Sequence, residues 1–287
     1  MNIIVAKTAG FCMGVERAVR LALTHSDNGE KRLYTPGPLI HNTQAITMLE
    51  QNNIKSLTDD TSPEDKSILI RAHGIPPEKE AEFARQGCTI IDGTCPMVKK
   101  VHRVIQKYID RDFTIVITGD KDHAETRGLM GYAKERGILI NSPQEVAKIP
   151  SHSHRLCIVS QTTFSVADFD AIVEEIFQTF PEREIAVEKT ICKATSERQN
   201  EVISLRDITD MMIVVGGKHS ANTLRLAEIA GEKNKRVLHI EDADELNPLE
   251  LKGVENLGIT AGASTPGWVI QDIVEKIEKE FEQGESS

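Results

Sequence analysis

Three cysteines constrain the fold of this chain more than any other feature, because each marks the same place in a repeated unit. They stand in Gly10-Phe11-Cys12-Met13-Gly14-Val15-Glu16-Arg17, Gly93-Thr94-Cys95-Pro96-Met97-Val98-Lys99-Lys100 and Thr190-Ile191-Cys192-Lys193-Ala194-Thr195-Ser196-Glu197. Each follows a short extended segment and precedes a polar, helix-like stretch. Pro96 suits the first helical position, where its missing N–H costs nothing, and this puts Cys95 at a helix N-terminus. Each interval between these cysteines holds one α/β module, and self-similarity of this kind is the signature of a repeated architecture.

The runs between the cysteines support that reading. Strands are expected over 68–71, 113–118, 138–140, 156–160, 185–187, 211–215, 237–240 and 257–261, short apolar runs with Gly, Pro, Asn or Asp recurring between them. Helical periodicity lies between them, as in Val98, Val101, Val104, Ile105, Tyr108 and in Phe169, Ile172, Val173, Ile176, Phe177. The strand runs are continuous rather than alternating, which suits parallel strands covered on both faces. The expected class is therefore α/β. Its modules span 13–95, 96–192 and 193–282, placed around a pseudo-threefold axis as a trefoil. The third has one strand fewer than the second, and residues 2–6 are expected to complete it. The tail 283–287 is expected to be disordered.

A chain of 287 residues has room for two or three domains. Its net charge of −10 and the absence of a basic run argue against a nucleic-acid partner. The longest apolar runs, such as 211–215, are far shorter than the roughly 18 to 20 residues that span a bilayer, so no membrane association is expected. The first residues carry no secretory signal pattern, so a cytoplasmic location is expected. Five cysteines, an odd number, speak against a disulfide framework and leave ligation, catalysis or burial as their uses.

Polar residues repeat with the cysteines. His41, His123 and Ser220 stand 28 or 29 residues after Cys12, Cys95 and Cys192, each in an expected strand-to-helix loop. His73, Thr162 and Ser264 follow the next central strands. Ligands of parallel sheets bind beyond the carboxyl ends of the strands, where all six belong. Histidines can donate as cations and hydroxyls as neutral donors, a set that suits a phosphate or diphosphate. The acidic net charge does not oppose this, since a converging ring of donors sets its own local field.

Cys157, inside Leu156-Cys157-Ile158-Val159, and Cys88, before Thr89-Ile90-Ile91, read as buried small hydrophobes. Cys12, Cys95 and Cys192 differ, because helix N–H groups can stabilise a thiolate at each. No C-x-x-C pair exists, as many structural zinc sites would need. Three thiolates on a [4Fe-4S] cubane would leave one iron open to a substrate oxygen. Spacing alone does not separate that centre from a three-thiolate zinc site.

Two loops fit an anion. Gly216-Gly217-Lys218-His219-Ser220-Ala221-Asn222-Thr223 is a Gly-rich turn opening a helix, with Ser220 and Asn222 as added donors. Gly262-Ala263-Ser264-Thr265-Pro266-Gly267 has the same form. In both, the hydroxyl also suits a plain helix cap. Asp122-x-x-Glu125 reads either as a variant capping box or as the site of a proton carrier at Glu125. Gln161-Thr162-Thr163 adds two hydroxyls at the same rim.

Assembled, these segments resemble the 4-hydroxy-3-methylbut-2-enyl diphosphate reductase (LytB/IspH) family. The resemblance runs from Asn2 to the helix after Trp268. It is carried by Ala9-Gly10-Phe11-Cys12-Met13-Gly14-Val15, Pro36-Gly37-Pro38-Leu39-Ile40-His41-Asn42, Arg71-Ala72-His73-Gly74, Asp92-Gly93-Thr94-Cys95-Pro96, His123-Ala124-Glu125, Ser160-Gln161-Thr162-Thr163 and Thr260-Ala261-Gly262-Ala263-Ser264-Thr265-Pro266. It implies three α/β modules around one [4Fe-4S] cluster held by Cys12, Cys95 and Cys192, with one open iron. It implies reductive removal of an allylic hydroxyl to give isopentenyl and dimethylallyl diphosphates, the last step of the methylerythritol phosphate route. Glu125 would relay protons with Thr162 and His123, and His41, His73, His123, Thr162, Ser220, Ala221, Asn222 and Ser264 would hold the diphosphate. Ala221 stands where many relatives have serine, leaving only its backbone N–H as a donor. Ferredoxin or flavodoxin is implied as electron donor. From the residues alone, a non-redox cluster hydratase or dehydratase and an iron-sulfur sensor of a phosphorylated ligand stay open.

Overall fold

Every strand pairing among the described residues is parallel, and the twelve strands fall into three sheets of four. The computed structural model describes residues 1–27, 32–58, 62–232 and 236–284. They form two units. One contains Met1–Glu16, Ile40–Asn52 and Lys193–Ser287, and the other Arg17–Leu39 and Asn53–Cys192.

The first unit holds one sheet in the order β1-β12-β10-β11, from β1 (Asn2–Val5), β10 (Met211–Val215), β11 (Arg236–Ile240) and β12 (Asn256–Ala261). Its helices are α2 (Thr43–Gln51), α7 (Lys193–Ile208), α8 (Ala221–Gly231) and α9 (Gly267–Gly284). Successive side chains of a strand point to opposite faces. Met211, Ile213 and Val215 accordingly pack with Ile273 and Ile277 of α9, whereas Met212 and Val214 pack with Val202 and Leu205 of α7 and Leu226 and Ala230 of α8. Helices on both faces are why this run is apolar throughout. The N-terminal segment enters this sheet as β1, with Ile3 beside Leu257.

The second unit holds two sheets. The first, in order β3-β2-β4-β5, is built from β2 (Leu33–Thr35), β3 (Ile54–Ser56), β4 (Ser67–Ile70) and β5 (Thr89–Asp92). The other, in order β7-β6-β8-β9, is built from β6 (Thr114–Thr118), β7 (Gly137–Ile140), β8 (Arg155–Ser160) and β9 (Glu184–Val187). Ile115, Ile117, Cys157 and Val159 face α4 (Pro96–Ile109) and α5 (Ala124–Ala133), while Val116, Leu156 and Ile158 face α6 (Val166–Thr179). Helices α1 (Met13–Asp27) and α3 (Pro77–Arg85) complete the elements used below.

Three differences from the sequence reading have physical causes. Residues 40–52, inside the expected first module, belong with the unit of the β1 sheet, where Thr43 and Gln44 bond Glu241 and Asp242 in the turn after β11. The strands β2 and β3 gave no apolar run because each has three residues, one or two of them polar. Helix α9 continues through Gln283 to Gly284, residues expected in the tail, and 285–287 lie outside the described residues.

Candidate functional site

Each of the three repeated cysteines follows the edge strand of its sheet and opens a helix. Cys12 lies between β1 and α1, Cys95 between β5 and α4, and Cys192 between β9 and α7. A shared hydrogen bond fixes the three loops. The amide of Cys12 donates to Ala263 O (3.2 Å), that of Cys95 to Ala72 O (3.0 Å) and that of Cys192 to Thr162 O (2.9 Å). Every acceptor lies two residues beyond the end of the neighbouring strand, β12, β4 or β8. This bond makes His73, Thr163 and Ser264 the equivalent positions, so the sequence pairing of His73 and Ser264 with Thr162 is one residue out of step.

Each loop is also clamped from the side. Arg198, buried on α7, donates to Thr8 O and Gly10 O ahead of Cys12. Arg17 donates to Asp92 O and Thr94 O ahead of Cys95. Thr190 exchanges bonds with the Ser160 backbone ahead of Cys192. Cys12, Cys95 and Cys192 are partly accessible. Of the other two thiols, Cys157 is fully buried as expected, and its pKa is pushed up to about 12 by that burial, whereas Cys88 is only half-buried, short of the burial expected, and donates to Pro63 O.

In the second unit, Glu125 lies in the first turn of α5 and is 1% exposed. Its carboxylate accepts the Thr162 amide at 2.6 Å and the Thr162 hydroxyl at 2.7 Å. Burial raises the carboxyl pKa to about 7, against the opposing pull of those two bonds. The capping-box reading of Asp122 and Glu125 is thereby corrected. The cap of α5 is His123, whose Nδ1 accepts the Glu125 amide at 3.2 Å. With Nδ1 engaged as that acceptor, Nε2 is the ring nitrogen of His123 left to donate. The His73 and His123 rings meet edge to face, with centroids 5.2 Å apart.

Sequence reasoning missed His102. It stacks on Tyr132 at 3.8 Å, touches the Gly74 turn beside His73, and is driven by burial to a pKa of about 4, so it stays neutral.

In the first unit, Ser220 caps α8 by accepting the Thr223 amide, which places the Ala221 and Asn222 amides at the positive end of that helix. Asn222 is buried and its side-chain Nδ2 has no hydrogen-bond partner among the described residues. A side chain on Gly217 would sit 2.3 Å from His41 O, so only glycine lets the α8 loop close onto His41. Ser264 Oγ donates to the same His41 carbonyl at 3.3 Å. His41, Ser220, Ala221, Asn222 and Ser264 thus lie in one unit, and His73, His123, Glu125 and Thr162 in the other. Asn42, next to His41, is the cap of α2 and is 2% exposed, with an Nδ2 that has no hydrogen-bond partner among the described residues. Its signal was the N-cap pattern before Thr43.

The LytB protein family model matches residues 3–278. This chain belongs to the LytB family. The LytB chain is 41% identical over 279 residues to a 4-hydroxy-3-methylbut-2-enyl diphosphate reductase of Geotalea uraniireducens, covering 97% of this chain and 98% of that one. It is 39% identical to the reductase of the same name from Aquifex aeolicus, covering 97% and 96%. Among solved structures it is similar to the E-1-hydroxy-2-methyl-but-2-enyl-4-diphosphate reductase of Plasmodium falciparum, with a TM-score of 0.90 at 28% identity over 96% of this chain and 87% of that one. A second solved structure, of (E)-4-hydroxy-3-methyl-but-2-enyl diphosphate reductase, gives a TM-score of 0.72 at 39% identity, covering 97% and 100%.

The LytB family implies an iron-sulfur cluster. Within either unit, the described residues gather no set of three His, Cys, Asp or Glu side chains able to hold a single metal ion. A cluster makes a different demand, since each thiolate takes its own iron. The donor set fits that demand: Cys12, Cys95 and Cys192 are soft ligands, each at a helix start, in loops fixed by the same amide bond.

Proposed function

We propose that the chain is a 4-hydroxy-3-methylbut-2-enyl diphosphate reductase. It removes the allylic hydroxyl of that substrate as water, with two electrons and two protons, to give isopentenyl and dimethylallyl diphosphates. This closes the methylerythritol phosphate route to isoprenoids, in the cytoplasm. Cys12, Cys95 and Cys192 would hold one [4Fe-4S] cluster with an open iron, which when bound supplies electrons and a Lewis acid for the hydroxyl oxygen.

The chain's own residues do the rest. Glu125 holds a proton at Oε1 or Oε2 near neutral pH, because its carboxyl titrates at about 7. A group poised there both gives and regains a proton within the working range. The Thr162 hydroxyl, bonded to Glu125 Oε2, is the next atom along the relay. His123, its Nδ1 engaged by the cap bond, donates from Nε2. The diphosphate is assigned to His41, His73, His123, Thr162, Ser220, Asn222 and Ser264 together with the backbone N–H of Ala221. Helix N-termini and neutral donors suit such an anion. Ferredoxin or flavodoxin serves as electron donor, and neither nucleic acid nor membrane takes part. No helix among the described residues is long and apolar enough to cross a membrane.

The observation that carries the reading is the fully buried Glu125–Thr162 pair beside the Cys192 loop, in a chain matched to the family over nearly its whole length. The test is anaerobic turnover of the allylic diphosphate with dithionite and a viologen by the iron-loaded protein. Formation of both isoprenoid diphosphates is expected. Turnover without any reductant, or none with it, overturns the reading.

A further inference from the structure

Breaking the allylic C–O bond and forming a C–H bond consumes two electrons and two protons and releases water. The electrons must enter from outside the chain. The site of that entry should combine closeness to a cluster-bearing cysteine with a surface suited to a carrier protein. The three helices that start at the repeated cysteines differ sharply in this respect.

Helix α7 neutralises its cations. Lys193 pairs with Glu197, and Arg198 is buried on backbone carbonyls. Helix α1 carries Glu16 in its first turn beside Arg17. Helix α4, capped by Cys95, carries Lys99, Lys100, Arg103 and Lys107 and no carboxylate. Lys99 pairs with Asp92. Lys100, Arg103 and Lys107 are exposed and form no ion pair among the described residues, Lys107 lying over the Tyr108 ring instead. Their spacing of three and four residues puts them in one stripe along the helix. At about 1.5 Å of rise per residue, Lys100 lies roughly 7 Å along the axis from Cys95. Arg17 adds a cation on the loop that leads into Cys95.

This stripe is out of character for the molecule. The chain carries a net charge of −10 and would repel an acidic partner at most orientations. A local run of unmatched cations overcomes that repulsion and orients the encounter.

We propose that Lys100, Arg103 and Lys107 on α4 form the docking surface for an acidic one-electron carrier protein, two molecules of which dock in succession and are each oxidised once per turnover, delivering their electrons toward Cys95. This rests on the reductase reading and on Cys95 as a cluster ligand. The test uses the iron-loaded protein with two donors, an acidic ferredoxin and dithionite. Charge reversal by Lys100→Glu, Arg103→Glu and Lys107→Glu together should raise KM for ferredoxin about tenfold or more and flatten its salt dependence. It should leave dithionite-driven turnover unchanged. Ferredoxin binding measured by calorimetry should weaken in parallel, and reversal of the exposed Lys55 and Lys252 should do neither. Unchanged ferredoxin KM and binding overturn the docking surface. Equal loss with both donors also overturns it if the charge-conserving Lys100→Arg, Arg103→Lys, Lys107→Arg variant shows the same loss. Absence of turnover with dithionite in the unsubstituted protein is the separate failure of the reductase reading.

Discussion

Both oxygens of Glu125 accept from the one residue Thr162, Oε1 from its amide at 2.6 Å and Oε2 from its hydroxyl at 2.7 Å. Thr162 in turn accepts the Cys192 amide on its carbonyl. A single loop after β8 therefore sets the acid group and one cysteine together. Glu125→Gln keeps the size of the side chain but removes the titrating proton. Turnover should fall by about 10²- to 10⁴-fold, the usual contribution of a positioned proton carrier. Binding of the allylic diphosphate, followed by calorimetry, should change by no more than a few-fold. Full activity in this variant would return Glu125 to a structural role.

Thr162→Val removes the hydroxyl and leaves the amide. Of the two bonds that hold the Glu125 pKa down against burial, one is lost. The pKa then rises above about 7, and the ionisation limb of kcat/KM should move to higher pH. A pH–rate profile from pH 5 to about 9 would show it. A limb that stays in place or moves lower would contradict the assignment of that limb to Glu125.

The same group leaves a mark on stability. Its folded pKa, about 7, lies above its ordinary value of 4.5. Its contribution to stability is therefore complete below about pH 4.5 and is lost as the pH rises through 7. At alkaline pH the folded chain holds a buried charge that Gln does not carry. Glu125→Gln should accordingly gain stability relative to the unsubstituted iron-free protein between pH 5 and 9, by up to roughly 3 kcal/mol in urea denaturation. A difference that is flat with pH would mean that the carboxyl is not desolvated.

Much of this was open to reading in the sequence because helices cover both faces of the sheets. Continuous runs such as Met211–Val215 declare themselves, and each cysteine stands where an edge strand turns into a helix. The three-residue strands β2 and β3 were not legible, since a run that short leaves no period to detect. The role of Thr162 could not be separated from that of Thr163 by counting, because equivalence is set by backbone bonds and loop lengths differ between repeats. His102 was hidden for another reason: a buried aromatic ring at helical spacing looks the same whether it packs or positions. The spacing of Asp122 and Glu125 suggested a cap at Asp122, whereas the cap is His123, a difference that lies in backbone angles that spacing does not encode.

The five cysteines divide by surroundings, and substitution should separate them. Cys157 packs among Ile115, Val159 and Leu129 with no exposure, and burial holds it as a neutral thiol. Cys157→Ala leaves a small cavity and should cost about 1–2 kcal/mol of stability. Its iron and sulfide content should be unchanged, since the site of the loss is inside the β6–β8 core. Ser at Cys12, Cys95 or Cys192 replaces a soft ligand by a hard one in a loop whose backbone is fixed by the cysteine amide. Each of those three variants should lose most of its iron after anaerobic reconstitution while changing stability of the iron-free protein by less than about 1 kcal/mol. Iron retained in all three, measured alongside Cys157→Ala, would remove these residues from the cluster.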